Sequence, residues 1–111
     1  GSVVRMIKSQ INTFKNGWFI GDFEPSVVKT ANFEVCVKEF KERETESFHY
    51  QRVATEITVV ILGEVRMGEN FLKEGDLLVI YPGEICDFEA LTDCKVLGIK
   101  FPSMPNDKVL A

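Results

Sequence analysis

The only histidine of the chain stands in a segment that carries two further side chains able to bind or catalyse, residues 46–56 (ESFHYQRVATE). His49 precedes Gln51 by two residues, and residues two apart on an extended strand face the same side. Glu56 follows on what would be the next strand and can reach the same place. An imidazole beside a carboxylate provides either metal ligands or an acid–base pair. The alternative is a buried histidine that is hydrogen-bonded to Glu56 or Gln51.

The composition is that of a soluble globular protein. The chain has 111 residues, a formal net charge of -4 and 27% charged residues, with both signs interleaved. It has no basic patch with interleaved aromatic residues, so we expect no nucleic-acid partner. Its longest aliphatic run is residues 59–62, far short of the roughly 20 apolar residues of a membrane helix, so we expect no membrane association.

Three cysteines without closely spaced pairs indicate a reduced protein: Cys36, Cys86 and Cys94. An odd number of cysteines is hard to reconcile with a disulfide framework, and disulfides are rare in reducing compartments. We therefore expect a cytoplasmic protein in which each cysteine is a buried free thiol.

Short apolar or alternating runs separated by turn residues predict an all-β protein. The strand patterns occupy residues 17–23, 32–40, 55–67, 76–81 and 94–101. Gly63 is predicted to turn or kink the third of these, and the fourth has the pattern of a buried strand. The charged residues 38–46 favour helix by propensity but include only Phe40 as an apolar side chain, so we expect a strand end and then a loop. The opening residues 6–14 fit a short helix or a strand.

The length and the absence of repeats, linkers and low-complexity segments predict one domain, residues 3–111. A chain of this length buries roughly two-thirds of the surface that it exposes when unfolded, which is enough for one core. Residues 1–2 (Gly1 and Ser2) are typical of a tag-cleavage scar and are left out of the fold prediction.

One segment resembles the first conserved motif of the cupin superfamily, residues 43–63. It has His49, Glu56 and Gly63 at the spacing of the first histidine, the glutamate and the closing glycine of that motif. Gln51 stands where the motif has its second histidine, and Arg43 stands where the motif opens with glycine.

A second segment resembles the second cupin motif, residues 75–90 (GDLLVIYPGEICDFEA). Gly75 and Gly83 match its glycine–strand–turn frame, and Cys86 stands where the motif has its histidine. The turn-making positions of both motifs are thus kept, whereas most of the ligand positions have changed.

The resemblance implies a single-domain antiparallel β-barrel of jelly-roll (cupin) type, with the ligand side chains pointing into a cavity at one end. Carried over, the cavity residues are His49, Gln51, Glu56 and Cys86, and strand alternation adds Thr58 on the Glu56 side. The cofactor implied at the first four positions is a divalent transition metal such as zinc, iron, manganese or nickel. Zinc accepts imidazole, carboxylate and thiolate ligands. A cavity without metal is the alternative.

The changed ligand positions favour a small-molecule-binding cupin with an atypical or lost metal site. The alternative is an enzyme of the oxygenase, isomerase or epimerase type, metal-dependent or using His49 as acid or base. Its substrate would be a small polar metabolite such as a sugar or carboxylic acid. A structural barrel without ligand is the second alternative, and it is disfavoured because buried polar groups are costly without a purpose. The resemblance also implies a homodimer, since cupins are commonly dimers.

Overall fold

The computed structural model describes residues 5–111. The proposed tag scar at residues 1–2 and the first two residues of the predicted domain lie outside the described residues. Two short 3-10 turns, Ile11–Thr13 and Lys15–Gly17, precede the first strand, so the opening segment contains helical turns and no strand. The strands are β1 Trp18–Gly21, β2 Val28–Lys29, β3 Glu34–Phe40, β4 Thr45–Gln51, β5 Thr55–Leu62, β6 Val65–Met67, β7 Asn70–Leu72, β8 Leu77–Ile80, β9 Cys86–Ala90, β10 Cys94–Phe101 and β11 Lys108–Leu110.

The strands form two sheets that enclose a common core, which confirms the predicted all-β jelly-roll class. The first sheet has six strands in the order β2-β1-β3-β10-β5-β8, and the second has five in the order β11-β4-β9-β6-β7. Every pairing is antiparallel except the short one between β1 and β2. Within residues 5–111, no helix is long and apolar enough to cross a membrane.

The apolar core fills one end of the barrel and draws on both sheets. Its buried members are Val60, Val65, Met67, Leu72, Ile80, Cys86, Phe88, Ala90, Cys94 and Val96. The strand in residues 76–81 is only half buried, contrary to its sequence pattern. Leu77 and Val79 are 57% and 38% exposed because β8 is the edge strand and these side chains alternate with the inward-facing Leu78 and Ile80.

The glycines of the two cupin-like segments occupy turns, as predicted from the sequence. Gly63 has a φ of +83° between β5 and β6, and a side chain there would collide with the backbone of the β9–β10 turn. Arg43 has a φ of +76° in the turn between β3 and β4, so a residue with a side chain adopts the left-handed conformation at the position where the first cupin motif has glycine. That turn spans residues 41–44, in agreement with the strand end and loop expected for 38–46.

The carboxylate of Asp107 ties the β10–β11 loop to the loop that follows β4. Its two oxygens accept hydrogen bonds from the backbone N–H groups of Val53 and Ala54, each at 2.9 Å. Asp107 and Ala54 are both buried, with 6% and 1% exposure. Because hydrogen bonds to a charged acceptor are among the stronger ones in proteins, this carboxylate stabilises the fold next to β4.

We predict that Asp107→Ala lowers the free energy of unfolding by about 3 kcal/mol, since it leaves the buried N–H of Ala54 without an acceptor. Urea denaturation followed by circular dichroism measures the change. The matched control is Asp93→Ala, which removes a carboxylate that accepts a backbone N–H at an exposed position, from Glu42. Equal losses for the two variants would contradict the assignment of the effect to burial.

Candidate functional site

Three consecutive cross-strand rows line the inner face of the six-stranded sheet on β3, β10 and β5. In order from the apolar core they are Lys38–Val96–Val60, Cys36–Gly98–Thr58 and Glu34–Lys100–Glu56. The first row belongs mostly to the core, the second consists of small side chains, and the third is charged throughout. The interior of the barrel therefore becomes more polar along its axis.

An irregular pairing between β4 and β9 brings two polar side chains of β4 into the same interior. Glu46 lies opposite Phe88 and His49 lies opposite Cys86, so two residues of β4 face a single residue of β9 between these pairs. Such a β-bulge interrupts the alternation of side chains. Glu46 and His49 therefore both line the interior although they are three residues apart.

A carbonyl group within the bulge determines which tautomer the His49 ring adopts. The Nδ1 atom of His49 lies 2.8 Å from the backbone carbonyl oxygen of Ser47. A carbonyl can only accept, so Nδ1–H is the donor, and in the neutral ring Nε2 carries the lone pair. His49 thus keeps one nitrogen available as a hydrogen-bond acceptor, a base or a ligand atom.

Four of the five predicted site residues line one small interior cavity: His49, Glu56, Thr58 and Cys86. The cavity has a volume of about 40 Å³, which accommodates water molecules but no sugar. Gln51, the fifth, lines a separate cavity beside the β10–β11 loop. The alternation of His49 and Gln51 is kept, but the two side chains lie at different depths of the barrel.

The residues at the entrance of the interior cavity were not predicted from the sequence as site residues. Trp18, Lys38 and Glu46 line both this cavity and an open groove of about 790 Å³ on the outside. The ammonium of Lys38 lies 3.5 Å from a carboxylate oxygen of Glu46 and 5.5 Å from the centre of the Trp18 ring. The ammonium of Lys100 lies 4.9 Å from that ring centre. The ion pair of Lys38 with Glu46 and the cation–π contact of Lys38 with Trp18 therefore lie between the groove and the cavity.

The three cysteines are free and buried, as predicted. Burial raises the pKa of Cys36 to about 11 and also raises the pKa of Cys86. The thiol of Cys86 donates a hydrogen bond to the carbonyl oxygen of Asp87 at 3.3 Å. Both thiols that line the interior cavity are therefore neutral at physiological pH.

The donor set does not fit a preformed metal centre. His49 and Cys86 lie opposite each other and Glu56 lines the same cavity, but nowhere in residues 5–111 do three His, Cys, Asp or Glu side chains come together as metal ligands. The raised pKa of Cys86 opposes the thiolate that a metal requires. Gln51 offers an uncharged amide, and it lines another cavity.

Comparison with known proteins identifies the fold. No family model and no curated protein matches the sequence. Among solved structures, the chain is similar to a double-stranded β-helix protein from Klebsiella pneumoniae, with 22% identity and a TM-score of 0.68 over 77% of this chain and 75% of the other. It is also similar to an RmlC-like cupin from Desulfovibrio desulfuricans, with 24% identity and a TM-score of 0.62 over 70% and 79% of the two chains.

A larger protein shares the same fold. The DMSP lyase DddQ from Ruegeria pomeroyi matches 85% of this chain with a TM-score of 0.70 and 19% identity, and the match spans 49% of DddQ. At these identities the likenesses establish the fold. They confirm the resemblance to cupins that the two sequence segments indicate.

We predict that neutral His49 is protonated at Nδ1, whereas a free imidazole side chain favours Nε2. Because the chain has a single histidine, two-dimensional ¹H–¹⁵N NMR of the ring in tag-free protein assigns the tautomer directly. The spectrum is recorded at a pH at which the ring is neutral, and denatured protein serves as the reference. An Nε2–H ring in the folded protein would contradict the hydrogen bond to Ser47.

Proposed function

We propose that this chain, which has the cupin fold of its structural neighbours, binds a small polar metabolite in the interior of its barrel. The observation that carries the proposal is the lone pair of His49 Nε2, which the Nδ1–H···O bond to Ser47 leaves available in a cavity that Glu56 and Thr58 also line. A barrel that served only as structure would gain stability by filling this space with apolar side chains.

The polar groups of the cavity favour a ligand that brings hydrogen-bond donors. His49 Nε2 and the Glu56 carboxylate accept, and the hydroxyl of Thr58 can donate or accept. Hydroxyl and amide groups are the neutral donors of small metabolites. The cavity holds only such a head group, so the rest of the ligand would lie in the outer groove, past the ion pair of Lys38 and Glu46.

The single tryptophan provides a direct test because Trp18 lines both the groove and the cavity. We expect at least one member of a panel of small hydroxylated and amidated metabolites to change Trp18 fluorescence in a saturable way. His49→Asn, which retains a donor near Ser47 but removes Nε2, should weaken that binding by about tenfold, the value of one buried hydrogen bond.

The matched control is Tyr50→Phe, which changes the next residue of β4. Tyr50 lies opposite Val109 and is outside the set of residues that line the cavity. This variant should bind as the parent does. Equal affinities of the parent and His49→Asn, or no response from any metabolite, would refute the proposal.

Acid–base catalysis is the second candidate function, and the same tautomer favours it. A neutral imidazole with a free Nε2 can take a proton from a bound substrate, and the carboxylate of Glu56, which lines the same cavity, would favour the imidazolium. Enzymes occur with this fold, as the lyase DddQ does. Turnover that is lost in His49→Asn while binding persists would favour catalysis over binding alone.

We also propose that the protein is a homodimer through the outer face of its six-stranded sheet. Ile57 lies opposite Val79 and Val59 lies opposite Leu77, so aliphatic side chains form continuous outward rows across β5 and β8. Leu77 is 57% exposed, and β8 is an edge strand. A second copy of the same face would cover both the apolar rows and the edge.

We predict a mass of twice 12.6 kDa for the parent by size-exclusion chromatography with light scattering. Leu77→Glu should give a monomer because the charge would be buried in the interface. Phe71→Glu is the control, since Phe71 is 71% exposed on the edge strand of the other sheet and this variant should remain a dimer. A monomeric parent, or a dimer that survives Leu77→Glu, would exclude this interface.

A further inference from the structure

A second cavity lies between the start of β3 and the β10–β11 loop, apart from the interior cavity that contains His49. Its volume is about 390 Å³, within the range of roughly 300 to 1,000 Å³ of small-molecule sites. The wall contributed by β4 is Gln51, whose backbone carbonyl accepts a hydrogen bond from Gly83 at 2.8 Å. That bond holds the end of β4 in place beside the cavity.

The side chain of Gln51 is buried without being satisfied. The residue is 2% exposed, and its Nε2 has no hydrogen-bond partner among the described residues. An amide NH₂ group carries two donors, and a buried donor without an acceptor is destabilising. A polar group of this kind beside a cavity of ligand size indicates that the acceptor is supplied from outside the chain.

Some carboxylate oxygens that line the same cavity already accept hydrogen bonds from the protein, and others can accept from a ligand. Asp107 uses both carboxylate oxygens on the backbone N–H groups of Val53 and Ala54. Glu34 accepts from the hydroxyl of Ser103 through one oxygen, at 3.2 Å. A carboxylate has more acceptor sites than these bonds use, so Glu34, and Asp22 on the same lining, can still accept a hydrogen bond from a ligand.

We propose that this second cavity binds a small neutral polyhydroxylated molecule, such as a polyol or a sugar. A hydroxyl group can both accept from Gln51 Nε2 and donate to Glu34, so neighbouring hydroxyls of one ligand satisfy both sides of the cavity. Phe23 lines the cavity as well and offers an apolar surface for the C–H face of such a ligand. Amide, carboxylate and aromatic ring together recognise a polyol.

Charged ligands fit this cavity less well. Its lining mixes both signs of charge, with the carboxylates of Asp22, Glu34 and Asp107 on the acidic side. Lys100 and Lys108 supply the basic side, so neither an anion nor a cation meets a lining of uniformly opposite charge. The inference is independent of the interior site, because neither His49 nor Thr58 lines this cavity.

The side-chain amide of Gln51 is a direct reporter because the chain has only two glutamines, Gln10 and Gln51. Its NH₂ signals in a ¹H–¹⁵N spectrum are assigned by their loss in Gln51→Met. We expect glycerol, sorbitol or glucose to shift these signals in a saturable way, whereas acetate and methylammonium should not. Gln51→Met should bind the same polyol about tenfold more weakly or worse, as read from the backbone amides of Ala54 and Lys108.

The matched control is Gln10→Met, the same substitution at the exposed glutamine, which should bind as the parent does. Gln51→Met should unfold at the same urea concentration as the parent or a higher one, since it removes an unsatisfied donor. A lower midpoint would show that the amide has a structural partner and would overturn the proposal. The proposal would also be overturned if none of the three polyols shifted the Gln51 signals, or if acetate or methylammonium shifted them instead. Equal affinity of Gln51→Met and the parent for the polyol would overturn it as well.

Discussion

The interior of this barrel depends on the β-bulge in β4. A regular strand would place Glu46 on the opposite face from His49, because side chains alternate with a period of two. The bulge sets both residues in the interior and leaves the Ser47 carbonyl where it accepts the Nδ1–H of His49. One irregular pairing therefore determines which β4 side chains line the cavity and which nitrogen of His49 is free. It also places the Glu46 carboxylate within 3.5 Å of the Lys38 ammonium.

The rows across β3, β10 and β5 explain how one small barrel can combine a stable core with polar cavities. Val60 and Val96 pack into the core, to which both sheets contribute apolar side chains. In the next row Gly98 lies between Cys36 and Thr58. A side chain at Gly98 would collide with the Cys36 sulfur, so only a glycine fits between these two residues. The core residues Ile80, Phe88 and Val96 also line the interior cavity, so the apolar core forms one wall of the polar site.

Features that arise from regular strand geometry could mostly be predicted from the sequence. Strand alternation and motif spacing place His49, Glu56, Thr58 and Cys86 at one cavity, and the turn glycines mark the frame of the barrel. The position of Glu46 was not predictable, since a bulge has no sequence signal in this segment. The apolar pattern of β8 was misleading for a different reason: an aliphatic residue on an edge strand can face another copy as well as the core.

The positions at which this sequence differs from the cupin motifs show which features the fold requires. Arg43 keeps a left-handed backbone where cupins have glycine, so the turn is required although the residue is not. Gln51 and Cys86 stand where the cupin motifs have histidine, and both are uncharged here, because an amide does not ionise and burial raises the pKa of the thiol. His49 is left as the one imidazole of the barrel. A single imidazole gives no basis for a multi-histidine metal centre, and Gln51 and Cys86 present uncharged hydrogen-bonding groups in its place.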